Sequence, residues 1–293
     1  MMLDRLTSLA LSSLSCAAPL ALAAIGTLAT EESGSLSISI EGCMIVGAFA
    51  AAVSAQAGAG LVTGLAAGAT AGLGLSCLVG GASLALGADV FVAGLAANIL
   101  APGLVSVLSQ AAFGTKGVLA AESLRSGPWP ILFALSLLCL LLILLLTRSV
   151  FGLRLRASGS SESRATGKEI AQAAGISSRR YRFSAHLIAG AAAGVAGASL
   201  AAGVGAYVPG MTTGRGWIAL VAVFLGGRRA WPVFLSCLVF GFLIALANLG
   251  QSFWNGGDGG GNAVELLQAL PYLATAVALI AWRRLEKAKE ERV

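Results

Sequence analysis

A chain of 293 residues is long enough for one large water-soluble domain, yet 57% of it is hydrophobic and only 11% charged, where a soluble surface needs about 25%. With a mean hydropathy of +0.87 and uncharged runs well beyond the roughly 18 residues that mark a spanning helix, the composition excludes a soluble enzyme and a disordered chain and points to a polytopic membrane protein. The net charge of +6 fits the sidedness of membrane loops rather than nucleic-acid binding.

Charges divide the sequence into spans. Leu6 to Thr30 carries none and has no clean small-x-small cleavage site, so it reads as a first span rather than a signal peptide. Gly42 to Ala88 is uncharged throughout and too long for one crossing of a hydrocarbon core about 30 Å thick. Together with Leu36 to Ile40 it should hold two helices, divided near Gly58 to Gly60. Val90 to Thr115 gives a fourth span, broken at Pro102-Gly103, and Ser126 to Thr147, with the apolar run Ile131 to Leu146, a fifth. A polar segment, Arg148 to Arg182, follows. Leu187 to Tyr207 crosses again, Gly216 to Gly227 returns as a short or partly re-entrant piece, and Val233 to Gly250 and Val264 to Trp282 complete the set before a basic tail.

The expectation is an all-α membrane protein of about nine transmembrane helices, a single transmembrane domain over 1–293 with a cytoplasmic loop at 148–183 and a cytoplasmic tail at 283–293. Loop, Arg228-Arg229 and tail collect every Lys and Arg except Arg5, Lys116, Arg125 and Arg215. The positive-inside rule places them in the cytoplasm and the N-terminus outside. Omitting Gly216 to Gly227 would strand the loop or the tail on the outer face, which favours nine crossings over eight; a ten-span variant stays open.

Thirty-nine glycines have a use in such a protein, because helices associate in lipid through close backbone approach. Gly60, Gly64, Gly68 and Gly72 recur every fourth residue, followed by Ser76 and Gly80, and Gly190, Gly194 and Ala198 repeat the device. These are packing grooves, compatible also with sliding during transport. Polar groups at membrane depth are costly and face protein or water. Glu41 follows a segment, Gly34 to Ile40, whose serines and glycine suggest a broken start to the second helix; it serves either as a partner fixing that break or as a solute contact. Asp89 and Glu265 sit where a carboxylate caps a helix start. Asn98 lies at mid-depth, lining a pathway or joining helices.

Chemistry is nearly absent. Cys16, Cys43, Cys77, Cys139 and Cys237 lie in apolar stretches without a C-x-x-C, and His186 is the single histidine, so no metal site or cofactor is expected. There is no H-E-x-x-H or G-x-S-x-G, and Ala165-Thr166-Gly167-Lys168-Glu169 lacks both the upstream glycine and the Ser or Thr of a phosphate loop. Active transport would need a motor on another chain. Lys168 to Ala174 is a short run of helix formers closed by Gly175, either a docking knob for such a motor or part of a solvated loop.

Several blocks carry a resemblance. They are Ser33-Gly34 through Glu41-Gly42-Cys43-Met44-Ile45-Val46-Gly47-Ala48-Phe49; Gly87-Ala88-Asp89-Val90-Phe91-Val92-Ala93-Gly94-Leu95-Ala96-Ala97-Asn98; Phe151-Gly152-Leu153-Arg154-Leu155-Arg156-Ala157; Ala174-Gly175-Ile176 with Arg180-Tyr181-Arg182; Met211 to Leu220; and Ala269-Leu270-Pro271-Tyr272. In this order the chain resembles the permease subunits of bacterial ABC importers of the ribose and branched-chain amino acid type. Within that group it is most similar to permeases that work with basic-membrane-protein lipoproteins, typically nucleoside importers.

The resemblance implies a type II-like permease in the inner membrane that pairs with a second permease, an ABC ATPase and an extracytoplasmic solute-binding lipoprotein, and that hydrolyses no ATP itself. It places ATPase coupling on Glu169, Ile170, Ala171, Ala174, Gly175 and Ile176. The residues themselves offer Glu41, Phe91 and Asn98 as candidates for a solute pathway. The chain departs from the family before the coupling helix, where Ser158 to Gly167 is longer than usual and lacks the customary proline. A nucleoside-like solute is expected, with riboflavin or a simple sugar as alternatives. An ion-coupled secondary transporter driven through Glu41 or Asp89 is the rival from another class.

Overall fold

A backbone in hydrocarbon must hydrogen-bond to itself, so the apolar runs become helices. The computed structural model describes residues 2–159, 175 and 177–254. The helices are α1 (Met2–Glu32), α2 (Ile40–Gln56), α3 (Leu61–Leu86), α4 (Val90–Phe113), α5 (Pro128–Arg148), α6 (Val150–Gly159), α7 (Ser178–Val204), α8 (Arg215–Leu225) and α9 (Ala230–Trp254). Among the described residues, six helices are long and apolar enough to cross a membrane: Thr7–Glu32 within α1, then α3, α4, α5, α7, and Ala230–Gly250 within α9. The protein is an all-α, multi-pass membrane protein. Its β structure among these residues is one ladder, β1 (Leu119–Ala120) antiparallel to β2 (Ala206–Tyr207).

The structure follows the expected division closely. The break between the second and third helices falls at Gly58, in the left-handed region at φ 78°, and Asp89 caps α4 by accepting from the N–H groups of Phe91 and Val92. One expectation is corrected. Pro102 does not break α4, which runs through it from Val90 to Phe113, because a proline within a helix removes one hydrogen bond while packing holds both halves in line. The polar segment after Arg148 is helical to Gly159, and helix resumes at Ser178. The last expected span, 264–282, the basic tail, Glu265 and most of the expected coupling helix lie outside the described residues.

α2 and α8 are the shorter ones among the apolar helices. Eleven residues give α8 a length of roughly 16 Å, about half the hydrocarbon core. α1 ends at Glu32, and residues 33–39 double back as non-helical backbone before α2 begins. α7 ends at Val204, and the turns over 208–214 precede α8. The two starts touch: a Cβ at Gly216 would lie within 2.8 Å of the Glu41 backbone. From there the helices run apart. α2 reaches the β ladder, where Gln56 Nε2 donates to the Ala120 carbonyl, and α8 reaches the end of α1, where Arg228 pairs with Glu31 at 2.7 Å. Helix, doubled-back segment and half-helix thus occur twice, in opposite orientation.

Cations gather at the end where α1 finishes. Arg156 lies 3.8 Å from Glu32 and donates to the Leu146 carbonyl. Arg182 donates to the carbonyls of Ser33 and Ser158. Arg228 adopts a left-handed φ of 60°, the one non-glycine to do so among the described residues, a conformation costing about 1–2 kcal/mol; its guanidinium pairs with the largely buried Glu31. Lys116 and Arg125 belong to the opposite, far end, beside the ladder.

Glycines set the centre. Gly68 and Gly72 of α3 meet Gly190 and Gly194 of α7 backbone to backbone, and Gly47 of α2 meets Gly194 from the other side. Ser76 continues the line by donating to the His186 carbonyl, and Gly80 packs on the His186 ring. Only Gly60 of the expected ladder faces open space. Gly194→Leu should therefore drive side-chain atoms into the α3 backbone at Gly68 and Gly72 and destabilise the bundle by about 3 kcal/mol, the upper end of the usual range of about 1–3 kcal/mol for overpacking. Gly81→Leu, where a Cβ meets nothing within 4 Å, should be tolerated. Thermal denaturation of the two variants in mild detergent checks the contrast.

Candidate functional site

In the doubled-back segment 33–39 the N–H groups of Ser33, Gly34 and Ser35 return to carbonyls at the end of α1, and its serines make further bonds. Ser33, Ser35, Ser37 and Ser39 are all buried. Ser35 Oγ pairs with His186 Nε2 at 2.9 Å, Ser37 with Ser39, and the Ser37 N–H donates to Thr30 Oγ1. The backbone on either side of the α2 start is held by Asn98, one side chain of α4. Its amide donates to the Ile38 carbonyl at 2.7 Å, and its oxygen accepts from the Gly42 N–H at 2.8 Å. The approach needs glycine at 42, where a Cβ would come within 2.9 Å of the Ala97 carbonyl.

Glu41 does the same for α8. Its Oε1 accepts from the Gly214 N–H at 3.1 Å. Gly214 stands at φ 78° at the head of α8, so the carboxylate of one half-helix caps the other. Its second oxygen, Oε2, is buried with no hydrogen-bond partner.

These groups form the inner end of a cleft of about 370 Å³, within the range of small-molecule sites. One wall is a single face of α4, through Leu95, Asn98, Ile99, Pro102, Val105, Ser106 and Ser109. The other is formed by Glu41 and Ile45 of α2, Tyr207, Pro209, Gly210, Thr213, and Trp217 of α8. Lys116 stands at the far-end rim. From Asn98 to Ser109 the α4 wall extends roughly 16 Å, so the cleft leads from the far end towards mid-depth. Three smaller cavities flank α1. One, about 260 Å³, is lined almost wholly by apolar groups of α1, α5 and α9; a second, about 290 Å³, holds Arg215 beside Cys16 and Ser126; a third, about 330 Å³, lies between α1 and α9.

Of the three residues expected on a pathway, the structure brings Glu41 and Asn98 together. Phe91 stands two helical turns before Asn98, is 57% exposed and does not line the cleft. Of the residues expected to couple to a motor, Gly175 is described, in the left-handed region at φ 72°; Glu169, Ile170, Ala171, Ala174 and Ile176 lie outside the described residues. No group of three or more His, Cys, Asp or Glu that could hold a metal occurs among the described residues. Sequence reasoning passed over Trp217, Ser106, Thr213 and Lys116. One signal was there: Glu41-Gly42 and Arg215-Gly216 both place a charged residue and a glycine just before an apolar run, which marks two helix starts at depth.

The comparisons agree with this architecture. Residues 9–281 match the family described as branched-chain amino acid transport system / permease component. The chain is 30% identical to a putative glucose ABC transporter permease protein of Haloferax volcanii over 80% of its own length and 74% of the relative's. It is 28% identical to a nucleoside ABC transporter permease protein of Lactococcus lactis, over 89% and 87%, and 27% identical to a guanosine ABC transporter permease protein of Bacillus subtilis, over 80% of each. No solved structure matches significantly. The chain belongs to the branched-chain amino acid transport system permease family, and is a membrane-embedded permease subunit of an ABC importer rather than an enzyme.

Asn98 carries a prediction of its own. Asn98→Leu leaves the Ile38 carbonyl and the Gly42 N–H unpaired, and each unmade buried bond costs about 1–3 kcal/mol. The variant should unfold measurably earlier than the parent in detergent. Asn98→Asp keeps the acceptor for Gly42 and should lose less. Equal stability of parent and Asn98→Leu would show that the break is held elsewhere.

Proposed function

We propose that this permease carries a nucleoside-like solute inward through the cleft between α4, α2 and α8, and that it does so as half of a heterodimer with a second permease. The observation that carries the reading is the cleft itself: open at the far end, polar at its inner end and walled by one face of a single helix. The basic end is the cytoplasmic one, since Arg156, Arg182 and Arg228 cluster there and positive charge is retained inside. The N-terminus is then outside and the C-terminus cytoplasmic. The cleft faces outward, where a solute-binding lipoprotein delivers its cargo, and alternating access closes it there and opens it to the cytoplasm. Two relatives named for nucleoside and guanosine transport support the choice of solute. The relative named for glucose keeps a simple sugar as the second reading.

The motor is a separate ABC ATPase that docks on the segment carrying Glu169, Ile170, Ala171, Ala174, Gly175 and Ile176. Both flanks of that segment are anchored. Gly159 packs against the Glu32 carbonyl and Ser33, and Arg182 grips Ser33 and Ser158. A push on the segment therefore acts at the foot of the doubled-back chain leading to Glu41.

Two experiments test this in vesicles holding the complete transporter. Ser106→Trp fills the cleft midway along its α4 wall and should cut ATP-driven uptake at least tenfold with assembly unchanged. Undiminished uptake would remove the cleft from the pathway. Replacing Glu169 to Ile176 by a Gly-Ser linker should abolish ATP-driven uptake while solute binding persists; uptake that survives would refute the coupling assignment.

A further inference from the structure

We propose that Glu41 is the specificity-determining residue of the cleft, and that the inner end it forms selects an uncharged solute presenting N–H or O–H donors while rejecting zwitterions and anions. The inference rests on the reading of the cleft as the solute pathway.

The hydrogen-bond inventory gives the first argument. Glu41 has two acceptor oxygens, and Gly214 occupies one. The other lacks a donor, a deficit costing about 1–3 kcal/mol or more for a charged group. The terminal carboxyl torsion of glutamate is soft, and a turn of it is needed to bring the buried Oε2 to a solute in the cleft that Glu41 lines. A second acceptor follows from the chain itself. Pro102 has no N–H, so the carbonyl of Asn98, four residues back, loses its helical donor, and both residues line the cleft. The Asn98 side chain keeps one N–H and one lone pair once Ile38 and Gly42 are held. Acceptors therefore outnumber donors at the inner end, and a solute bearing donors completes it.

Charge gives the second argument. Glu41 lies in the first turn of α2 and caps the first turn of α8. Each helix start carries roughly half a positive charge, so the two together balance one carboxylate. Arg215 does not disturb the balance, because its side chain lines the separate cavity beside Cys16 and Ser126. Lys116 is exposed at the rim, more than a dozen ångströms away along α4. A phosphate, or the carboxylate of a zwitterion, brought to the inner end would meet the Glu41 carboxylate and no cation, and would be desolvated at a loss. A neutral molecule meets no such penalty. Trp217, 43% exposed and on the same wall, adds a flat apolar surface for a ring.

The experiment uses the complete transporter in liposomes and measures ATP-driven uptake of guanosine, glucose, leucine and guanosine monophosphate. The wild type should take up guanosine or glucose at least tenfold faster than leucine or the monophosphate. Glu41→Gln keeps an oxygen for Gly214 but turns the free acceptor into a donor, and should raise KM for the neutral solute tenfold or more with kcat little changed. Glu41→Asp should recover part of the loss. Should the glutamine variant fail to assemble, competition on the wild type decides, using analogues of the transported solute that each lack one donor, such as N1-methylguanosine or a deoxy sugar. At least one should compete tenfold less well than its parent. Leucine or the monophosphate carried as fast as the neutral solute, an unchanged KM in Glu41→Gln, or every analogue competing as well as its parent overturns the proposal. A Ser106→Trp block alongside an unchanged Glu41→Gln would spare the pathway and defeat only this inference.

Discussion

Peptide groups without partners cannot stand in hydrocarbon, and the architecture turns on the two places where this chain interrupts a helix at depth. At each, a side chain remote in sequence supplies what the helix does not. Asn98 bridges the Ile38 carbonyl and the Gly42 N–H, and Glu41 accepts from Gly214. Because the two starts abut, one set of polar groups serves both, and the cleft opens beside it. The polar floor of the cleft is therefore a by-product of holding two half-helices.

Around this centre the packing is close and unspecialised. The backbones of α2, α3 and α7 meet through Gly47, Gly68, Gly72, Gly190 and Gly194, leaving no room for side chains to rearrange. α4 is different: Leu95, Ile99, Leu100, Leu104 and Leu108 are exposed, and it packs chiefly on α2 and α3. A rigid block of α2, α3 and α7, with α4 riding on its edge, is the simplest mechanical division of the fold.

Much of this was readable from the residues. The glycine spacing of α3 states its own packing face, Asp89 before Val90 states a cap, and Ser35, Ser37 and Ser39 beside Gly34 announce backbone needing side-chain partners. Pro102 misled, since a proline reads as an ending in sequence while a packed membrane helix absorbs it. Long-range pairings were closed to sequence reasoning. Nothing local to Glu41 names Gly214 as its partner, and Trp217 and Lys116 acquire meaning only when α8 and the far-end hairpin come to stand opposite α4.

The contact between Asn98 and the start of α2 also constrains assembly order during synthesis. The doubled-back segment and α2 are synthesised before α4 and α7. Until then the Ile38 carbonyl, the Gly42 N–H and Ser35 have no partners except water. A seventeen-residue helix preceded by unpaired backbone is a poor candidate for release into lipid on its own. The first third of the chain must wait in a hydrated setting, within the insertion machinery or at the bilayer surface, until α4 brings Asn98 and α7 brings His186. Membrane insertion of this protein is then cooperative across helices rather than one span at a time.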